Sequence, residues 1–244
     1  MGLKTVVESL SKYLKKDWNI YVCFQAYTND DLKEAVDFIS QVCCNDFQFV
    51  FTEGLTGCHL ARMQILDLYN SDVWCLLDDD MIAIDKTKYD LMANIVWNIK
   101  DIGLLSGNWR RNETMAEKAV AKDNIIVQNI VYTGGGLFFR NEVAEIIKAI
   151  PRKLYVFDNP LWSIYTYVNG YSNARYLGSI AVHKVCTVGG RRRYFDEVRE
   201  KKYLPPEEWI SSRKAKNAFD EYLMCDSSDI TPLAHKLHLE NLKK

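Results

Sequence analysis

Three consecutive carboxylates, Asp78-Asp79-Asp80, follow directly on the apolar run Val73-Trp74-Cys75-Leu76-Leu77. Five apolar residues of that kind read as a short strand buried on both faces, as in a parallel sheet. The carboxylates then stand at a strand's C-terminal end, the edge of an open α/β sheet where ligands bind. Three adjacent negative charges repel one another, and a hard divalent cation would relieve them. Side chains alternate along an extended chain, so Asp78 and Asp80 would face one way and Asp79 the other. Two same-facing carboxylates make half of a Mg²⁺ or Mn²⁺ site, which water and phosphate oxygens complete. If the triplet is already turning, the choice of the two metal-facing residues is open. The competing reading is a solvated acidic turn.

Four other stretches carry residues suited to the same edge. Glu53-Gly54-Leu55-Thr56-Gly57 precedes a helix containing Arg62. Backbone N–H groups of such a turn can hold a diphosphate, and an arginine can add a charge-assisted contact. The spacing is neither a Walker A loop nor GxGxxG, and an ordinary structural turn is the alternative. Thr133-Gly134-Gly135-Gly136 interrupts an apolar stretch, which implies either a ligand close to the backbone or a bulge. Asp158, ahead of Asn159-Pro160, is suited to capping a helix, and as a base it would need a substrate hydroxyl in reach. His183 closes an apolar run and is followed by Gly189-Gly190-Arg191-Arg192-Arg193. An imidazole can complete an Asp/Asp manganese site, and the arginines would meet phosphates. A lone histidine and a basic run are otherwise ordinary core or surface features.

The elements that must position these residues follow from periodicity. Residues 3–16 form an amphipathic helix with Val6, Val7, Leu10 and Leu14 on one side, expected to pack on the body, with peripheral membrane contact as the alternative. Trp18 to Ala26 reads as a strand, and Asp31 to Cys44 as a helix whose Leu32, Ala35, Val36, Ile39, Val42 and Cys43 share one stripe. A strand from Phe47 to Thr52, a helix through about Tyr69 and the strand ahead of the triplet complete a β-α-β-α-β opening. That alternation implies parallel strands. Beyond it we expect a helix over Tyr89–Ile99 and a strand over Ile102–Gly107. Residues 108–124 are polar and unpatterned. Strands over Ile125–Tyr132 and Leu137–Phe139 come next, then a helix from Asn141 that Pro151 stops. A helix from Asp158 with Gly170 as its C-cap and a strand over Tyr176–Val185 finish the pattern. The sequence after Gly190 turns charged and helix-favouring.

The chain has 244 residues and a formal net charge of −1, so no global field recruits nucleic acid or acidic membrane. Its seven cysteines form no CxxC pair and no zinc spacing, and read as reduced thiols of a cytoplasmic protein. The sequence contains no run of 18 apolar residues and no signal-peptide core.

The order of these features resembles the GT-A glycosyltransferases, especially the family 2-like group. The resemblance covers roughly residues 18–190. It rests on CLLDDDM, TGGGLFFRNEV, FDNPLW and IAVHK in that order. It implies an α/β fold of GT-A (Rossmann-like) type, a mainly parallel central sheet flanked by helices, with a helical C-terminal extension. The domains would be an N-terminal helix at 1–17, a glycosyltransferase domain at 18–195 and the extension at 196–244. Asp78 and Asp80, with His183, would bind Mn²⁺ or Mg²⁺ on the diphosphate of a nucleotide sugar, and Asp79 would lie near the donor. Tyr27 and Glu53 would approach the nucleoside, Arg62 and Arg191 the donor, and Gly134, Gly135 and Gly136 the donor sugar and acceptor. Asp158 matches the family's general base, although it stands in DN here where many relatives have an ED pair. The turn after the second strand also lacks the Asp-rich form common in family 2.

The implied activity is transfer of a sugar from a nucleoside diphosphate sugar, UDP favoured, to the hydroxyl of a glycan or other acceptor, with inversion. A retaining transferase and a non-catalytic metal-dependent carbohydrate-binding or scaffold protein are the alternatives. A nucleotidylyltransferase would carry a basic glycine-rich loop after the first strand, where this chain reads Gln25-Ala26-Tyr27-Thr28-Asn29. A DxD phosphatase would place its aspartates after an earlier strand. Trp109, Trp162 and Tyr165 are of a type that stacks on sugar rings, with core packing as the other explanation for Trp162 and Tyr165.

Overall fold

The computed structural model describes residues 2–25, 28–52, 57–79, 81–85, 87–110, 125–127, 131, 135–150, 162–163, 165–167 and 169–183. Tyr27, Glu53, Asp80, Gly134, Asp158, Arg191 and the stretch after His183 lie outside them, as do the side chains of Trp109 and His183. So does all of the expected C-terminal extension at 196–244.

The order is α1 (Gly2–Tyr13), β1 (Ile20–Gln25), α2 (Asn29–Val42), β2 (Phe47–Thr52), α3 (Gly57–Leu68), β3 (Val73–Leu76) and β4 (Met81–Ala83). It continues with α4 (Lys88–Asn98), β5 (Ile102–Arg110), β6 (Ile125–Val127), β7 (Leu137–Arg140), α5 (Asn141–Lys148) and β8 (Ser172–His183). Helical residues at 162–163 and 165–167 precede β8.

α2 starts on Thr28, whose side chain accepts from the Asp31 amide, so threonine caps the helix and the two aspartates occupy its first turn. Its stripe buries Ala35 and Ile39 against Val7 and Phe24. α1 packs on the body as expected. Ser9 Oγ donates to Val6 O at 2.7 Å and accepts from Ala83 N at 3.0 Å, tying the helix to the strand that follows the acidic triplet.

β1 and β2 pair in parallel, in register from Ile20↔Phe47 to Gln25↔Thr52. The other strands form one sheet in the order β3-β7-β5-β8-β4, with β6 also on β8. In it only β5 and β8 run parallel, while β3–β7, β5–β7, β4–β8 and β6–β8 are antiparallel. The expected mainly parallel sheet is therefore a mixed one. Parallel neighbours need a crossover helix, and α2 supplies it between β1 and β2. Past β2 the helices no longer join strands that are neighbours in a sheet: β3, expected to continue the parallel run, pairs with β7 in antiparallel fashion, and insertion of β7 between β3 and β5 reverses the direction of pairing.

Topology also dictates curvature. β3 and β4 stand at opposite ends of the five-strand path, yet only Leu77, Asp78, Asp79 and Asp80 separate them in sequence. Those residues reach at most about 18 Å fully extended. A flat sheet would need about 19 Å for four strand spacings, and the turn in which Met81 N donates to Asp78 O at 3.1 Å shortens the reach further. The sheet must curl, bringing the late half of β8 back toward the end of β3. β4 itself, three residues long, is too short to leave a periodic signal in the sequence.

Two apolar layers flank the sheet. One joins Met63 and Leu66 of α3, Val143, Ala144 and Ile147 of α5, Trp162 and Tyr165 to Trp74, Leu76, Leu104, Leu137 and Phe139. The other joins Tyr89, Met92 and Val96 of α4 to Leu105, Phe138, Ala174, Tyr176 and Ile180. Trp162 and Tyr165 are thus core residues, 0% and 4% exposed.

Arg140, the arginine of TGGGLFFR, is 2% exposed and belongs to this scaffold. Its guanidinium donates to the carbonyls of Val96, of Ile99 at 3.3 Å, of Ile102 at 3.1 Å and of Lys100 at 2.7 Å, and it pairs with Glu142. These carbonyls lie at and just beyond the C-terminus of α4, where acceptors lack helical partners and the dipole favours a cation.

Candidate active site

The turn after β3 is where the sheet's curl converges. Asp78 is half-buried, and its Oδ1 accepts from Arg62 Nη2 at 2.6 Å. Arg62 reaches it from α3 with a side chain 12% exposed against 32% for Asp78. The guanidinium also lies 5.9 Å from the Trp162 ring centroid, and Trp162 Nε1 donates to His59 Nδ1 at 3.1 Å. One turn of α3 thereby supplies both His59 and Arg62, and the buried indole between them fixes the arginine's direction. Part of the relief that the sequence reading assigned to a divalent ion comes from a residue of the chain itself.

Asp79 is exposed in the turn. Met81 pairs with His183 in the antiparallel β4–β8 register, so the backbone of His183 stands beside the start of β4, next to the triplet. Two candidate ligand positions a hundred residues apart are thus neighbours because the sheet curls. Among the described residues no group of three His, Cys, Asp or Glu side chains is assembled. Carboxylate oxygens with one imidazole are a donor set that Mn²⁺ and Mg²⁺ accept, and on this chemistry the triplet and His183 fit such an ion.

Gly135 and Gly136 lie beside the same turn, because the β3–β7 register ends at Leu76↔Leu137. Both are buried. Gly107 N donates to Gly136 O at 2.7 Å and Gly135 N donates to Gly107 O at 3.1 Å, so two glycines face one residue of β5 in a bulge. Tyr89 Oη adds a bond to Gly135 O at 3.3 Å. A Cβ on Gly135 would lie 2.5 Å from Asn108 O and 2.9 Å from Ile180 Cγ1. Gly136, at φ +135, would put a Cβ 2.9 Å from Phe138 and 3.1 Å from Cys75 Sγ. The protein's own packing requires these two glycines. Their missing side chains would enter the Tyr89 layer, which leaves bare backbone toward the layer of Arg62 and Trp162.

Asn108 and Arg175, residues without a motif around them, also meet at this edge of the sheet. Asn108 lies at the end of β5, where its Nδ2 donates to Leu177 O at 2.9 Å and its Oδ1 accepts from Arg175 Nη2 at 2.7 Å. An isolated arginine inside the strand SNARYLGSIAVH gives no sequence signal. Behind it Asn173 Nδ2 donates to Ser163 O at 2.8 Å, and Ser163 Oγ exchanges bonds with the Val131 backbone.

Burial pushes the Cys75 thiol and the Tyr89 phenol upward, and the Cys23 thiol to about 11. Cys23, Cys43, Cys44, Cys58 and Cys75 are free cysteines. Among the described residues no helix is long and apolar enough to cross a membrane.

No family model matches the chain, and no curated protein matches it by sequence. Solved structures do. The mannosyltransferase PcManGT from Pyrobaculum calidifontis, in complex with GDP-Man and Mn²⁺, superposes with a TM-score of 0.60 at 14% identity, covering 96% of this chain and 70% of that one. S. aureus TarS 1-349 gives a TM-score of 0.53 at 12% identity over 86% of this chain and 74% of that one. GalNAc-T7 with UDP, GalNAc and Mn²⁺ gives 0.52 at 11% identity, covering 89% of this chain, which spans 54% of that neighbour. Identities this low speak to architecture, and the architecture they share with this mixed, curled α/β chain is the GT-A glycosyltransferase fold.

Proposed function

We propose that this protein is a metal-dependent glycosyltransferase that moves a hexosyl group from a nucleoside diphosphate sugar, UDP favoured, to an acceptor hydroxyl. The observation that carries this reading is the meeting, at one edge of a GT-A sheet, of Asp78 held by Arg62, the Gly135–Gly136 bulge and the backbone of His183. In this reading Asp80 and His183, with Asp78, would hold Mn²⁺ or Mg²⁺, and such an ion would supply charge stabilisation for a departing diphosphate. Arg62 keeps the Asp78 carboxylate aimed at the ligand. Asp79 lies near the donor, Tyr27 and Glu53 near the nucleoside, Arg191 on the diphosphate, and Gly134 beside the sugar.

Asp158 takes the proton of the acceptor hydroxyl. That oxygen forms a bond to the anomeric carbon as the bond from that carbon to the diphosphate oxygen breaks, and configuration inverts. The deciding experiment measures hydrolysis and transfer with UDP- and GDP-sugars, with and without Mn²⁺, and assigns the anomer of the product by NMR. Metal-dependent release of a nucleoside diphosphate with inversion is expected. Nucleotide-sugar binding without turnover of any donor would favour a carbohydrate-binding protein, and retained configuration would remove Asp158 from the role of base.

A further inference from the structure

Arg175 is only half-buried, yet its surroundings are those of a binding group rather than a surface charge. Alternation along β8 places it on the same sheet face as Asn173, which is fastened to Ser163 beside Trp162. A side chain on Gly107 would meet Ile180 of the Tyr89 layer, so Asn108, the next residue of β5, is placed on the opposite side with Arg62 and Trp162, between the register shifts that flank it. Its neighbour across the sheet is Gly135, whose backbone lies against Asn108 O. Beyond that glycine comes the turn carrying Asp78, about two strand spacings or 10 Å from Asn108. Two arginines therefore flank bare glycine backbone, Arg62 on Asp78 and Arg175 on Asn108.

The two differ in partner. Lys4, Lys15, Arg62, Arg140 and Lys148 each pair with a carboxylate, whereas Arg175 makes no ion pair among the described residues. Its hydrogen bond goes instead to a neutral amide oxygen. That amide has one orientation, because Leu177 O takes its Nδ2. A guanidinium has five N–H donors, and withdrawing one from water without a counter-charge is costly unless an anion completes it. Here the fork is pre-aimed by a fixed acceptor, the geometry in which arginine binds carboxylate or phosphate.

We propose that Arg175, oriented by Asn108, binds an anionic group, a carboxylate or phosphate, on the substrate at a distance of about one sugar unit from the diphosphate end. The assignment of that end rests on the glycosyltransferase reading. The anion selects acidic substrates over their neutral counterparts, and it belongs either to the acceptor or to the transferred sugar.

The test is a binding titration, followed by NMR of the arginine Nε–Hε signals and by thermal shift, and it needs no turnover. Probes are glycerol 3-phosphate against glycerol, glucuronate against glucose, and UDP-glucuronate against UDP-glucose with Mn²⁺. Wild type is expected to favour at least one acid over its neutral match by about tenfold or more, with the Arg175 signal shifting. Arg175→Gln removes the preference and Asn108→Ala weakens it. A preference among the free probes assigns the anion to the acceptor, and one confined to UDP-glucuronate assigns it to the donor sugar. No Arg175-dependent preference for any acid overturns the proposal. Should Arg175→Gln fail to fold, the wild-type signal and Arg175→Lys decide on the same criterion. Anion binding without nucleotide-sugar turnover would keep this site and sink the transferase reading, whereas turnover with no such preference would do the reverse.

Discussion

Arg62 Nη2 and Asp78 Oδ1 are 2.6 Å apart, a pair made between the middle of α3 and the first residue of the acidic triplet. The contact couples the helix to the turn that the sheet curls around. Removing one partner of a largely buried charged pair strands the other, and the loss exceeds the net worth of the pair.

Arg62→Met is therefore expected to lower kcat/KM with a nucleotide sugar by about 10²-fold, with Arg62→Lys recovering part of it because it restores charge without the fork. A double-mutant cycle with Asp78→Asn, followed by urea denaturation, should return a coupling of about 1–3 kcal/mol. Strictly additive single and double variants would show that the pair does not hold the turn.

Asp78→Ala and Asp80→Ala are each expected to reduce sugar transfer by about 10²–10³-fold or more, while both keep a wild-type circular dichroism spectrum, Asp80→Ala melts near wild type, and Asp78→Ala, which strands Arg62, melts a few degrees lower. Thermal-shift stabilisation by UDP or GDP should depend on Mn²⁺ in wild type and lose that dependence in both variants. Full metal-dependent activity in either would remove that residue from the site.

Arg140→Met is expected to destabilise the fold by about 2–4 kcal/mol in denaturant titration, because several carbonyls near the end of α4 lose their donor together. Activity per folded molecule should be unchanged. A drop in kcat with no loss of stability would instead place this arginine in the chemistry.

Gly135→Ala and Gly136→Ala should each cost about 2 kcal/mol or more. The first drives a methyl against a backbone oxygen 2.5 Å away, and the second forces φ +135 on an L residue. Either variant folding with wild-type stability would mean that the bulge relaxes.

Thiol labelling reports the same burial. At pH 8 in the native state a disulfide reagent should modify the exposed Cys44 and Cys58 quickly and leave Cys23 and Cys75 protected. The Cys23 thiol, held up to about 11 when folded, ionises near 9 once unfolded. The unfolded chain therefore releases its proton first as pH rises, and stability falls between roughly pH 9 and 11. Cys23→Ser should flatten the decline of melting temperature in that window, and an unchanged slope would assign the decline to other groups.

Local pattern in the sequence was sufficient for a good deal of this. The stripe of α2, the strand Phe47–Thr52 and the apolar run ending at the triplet all stand where periodicity puts them. Gly170 sits at φ +90 with its amide on Tyr167 O, as a helix C-cap requires. These features depend on residues within a few positions of one another, so composition and spacing decide them.

Partner choice was not legible in that way. Whether Arg62 meets a phosphate or Asp78, whether Arg140 faces a ligand or the end of α4, and whether Arg175 lies beside Asn108 are settled by strands far apart in sequence. Each follows from registers such as Met81↔His183 and Leu76↔Leu137, which burial on two sheet faces selects across the whole chain. The sequence by itself determined that carboxylates end a buried strand in an α/β chain. Only the tertiary structure decided that the sheet is mixed and curled, and that an arginine of the chain already stands against the first of them, because a charge's neighbours are fixed by long-range pairing and not by its spacing along the backbone.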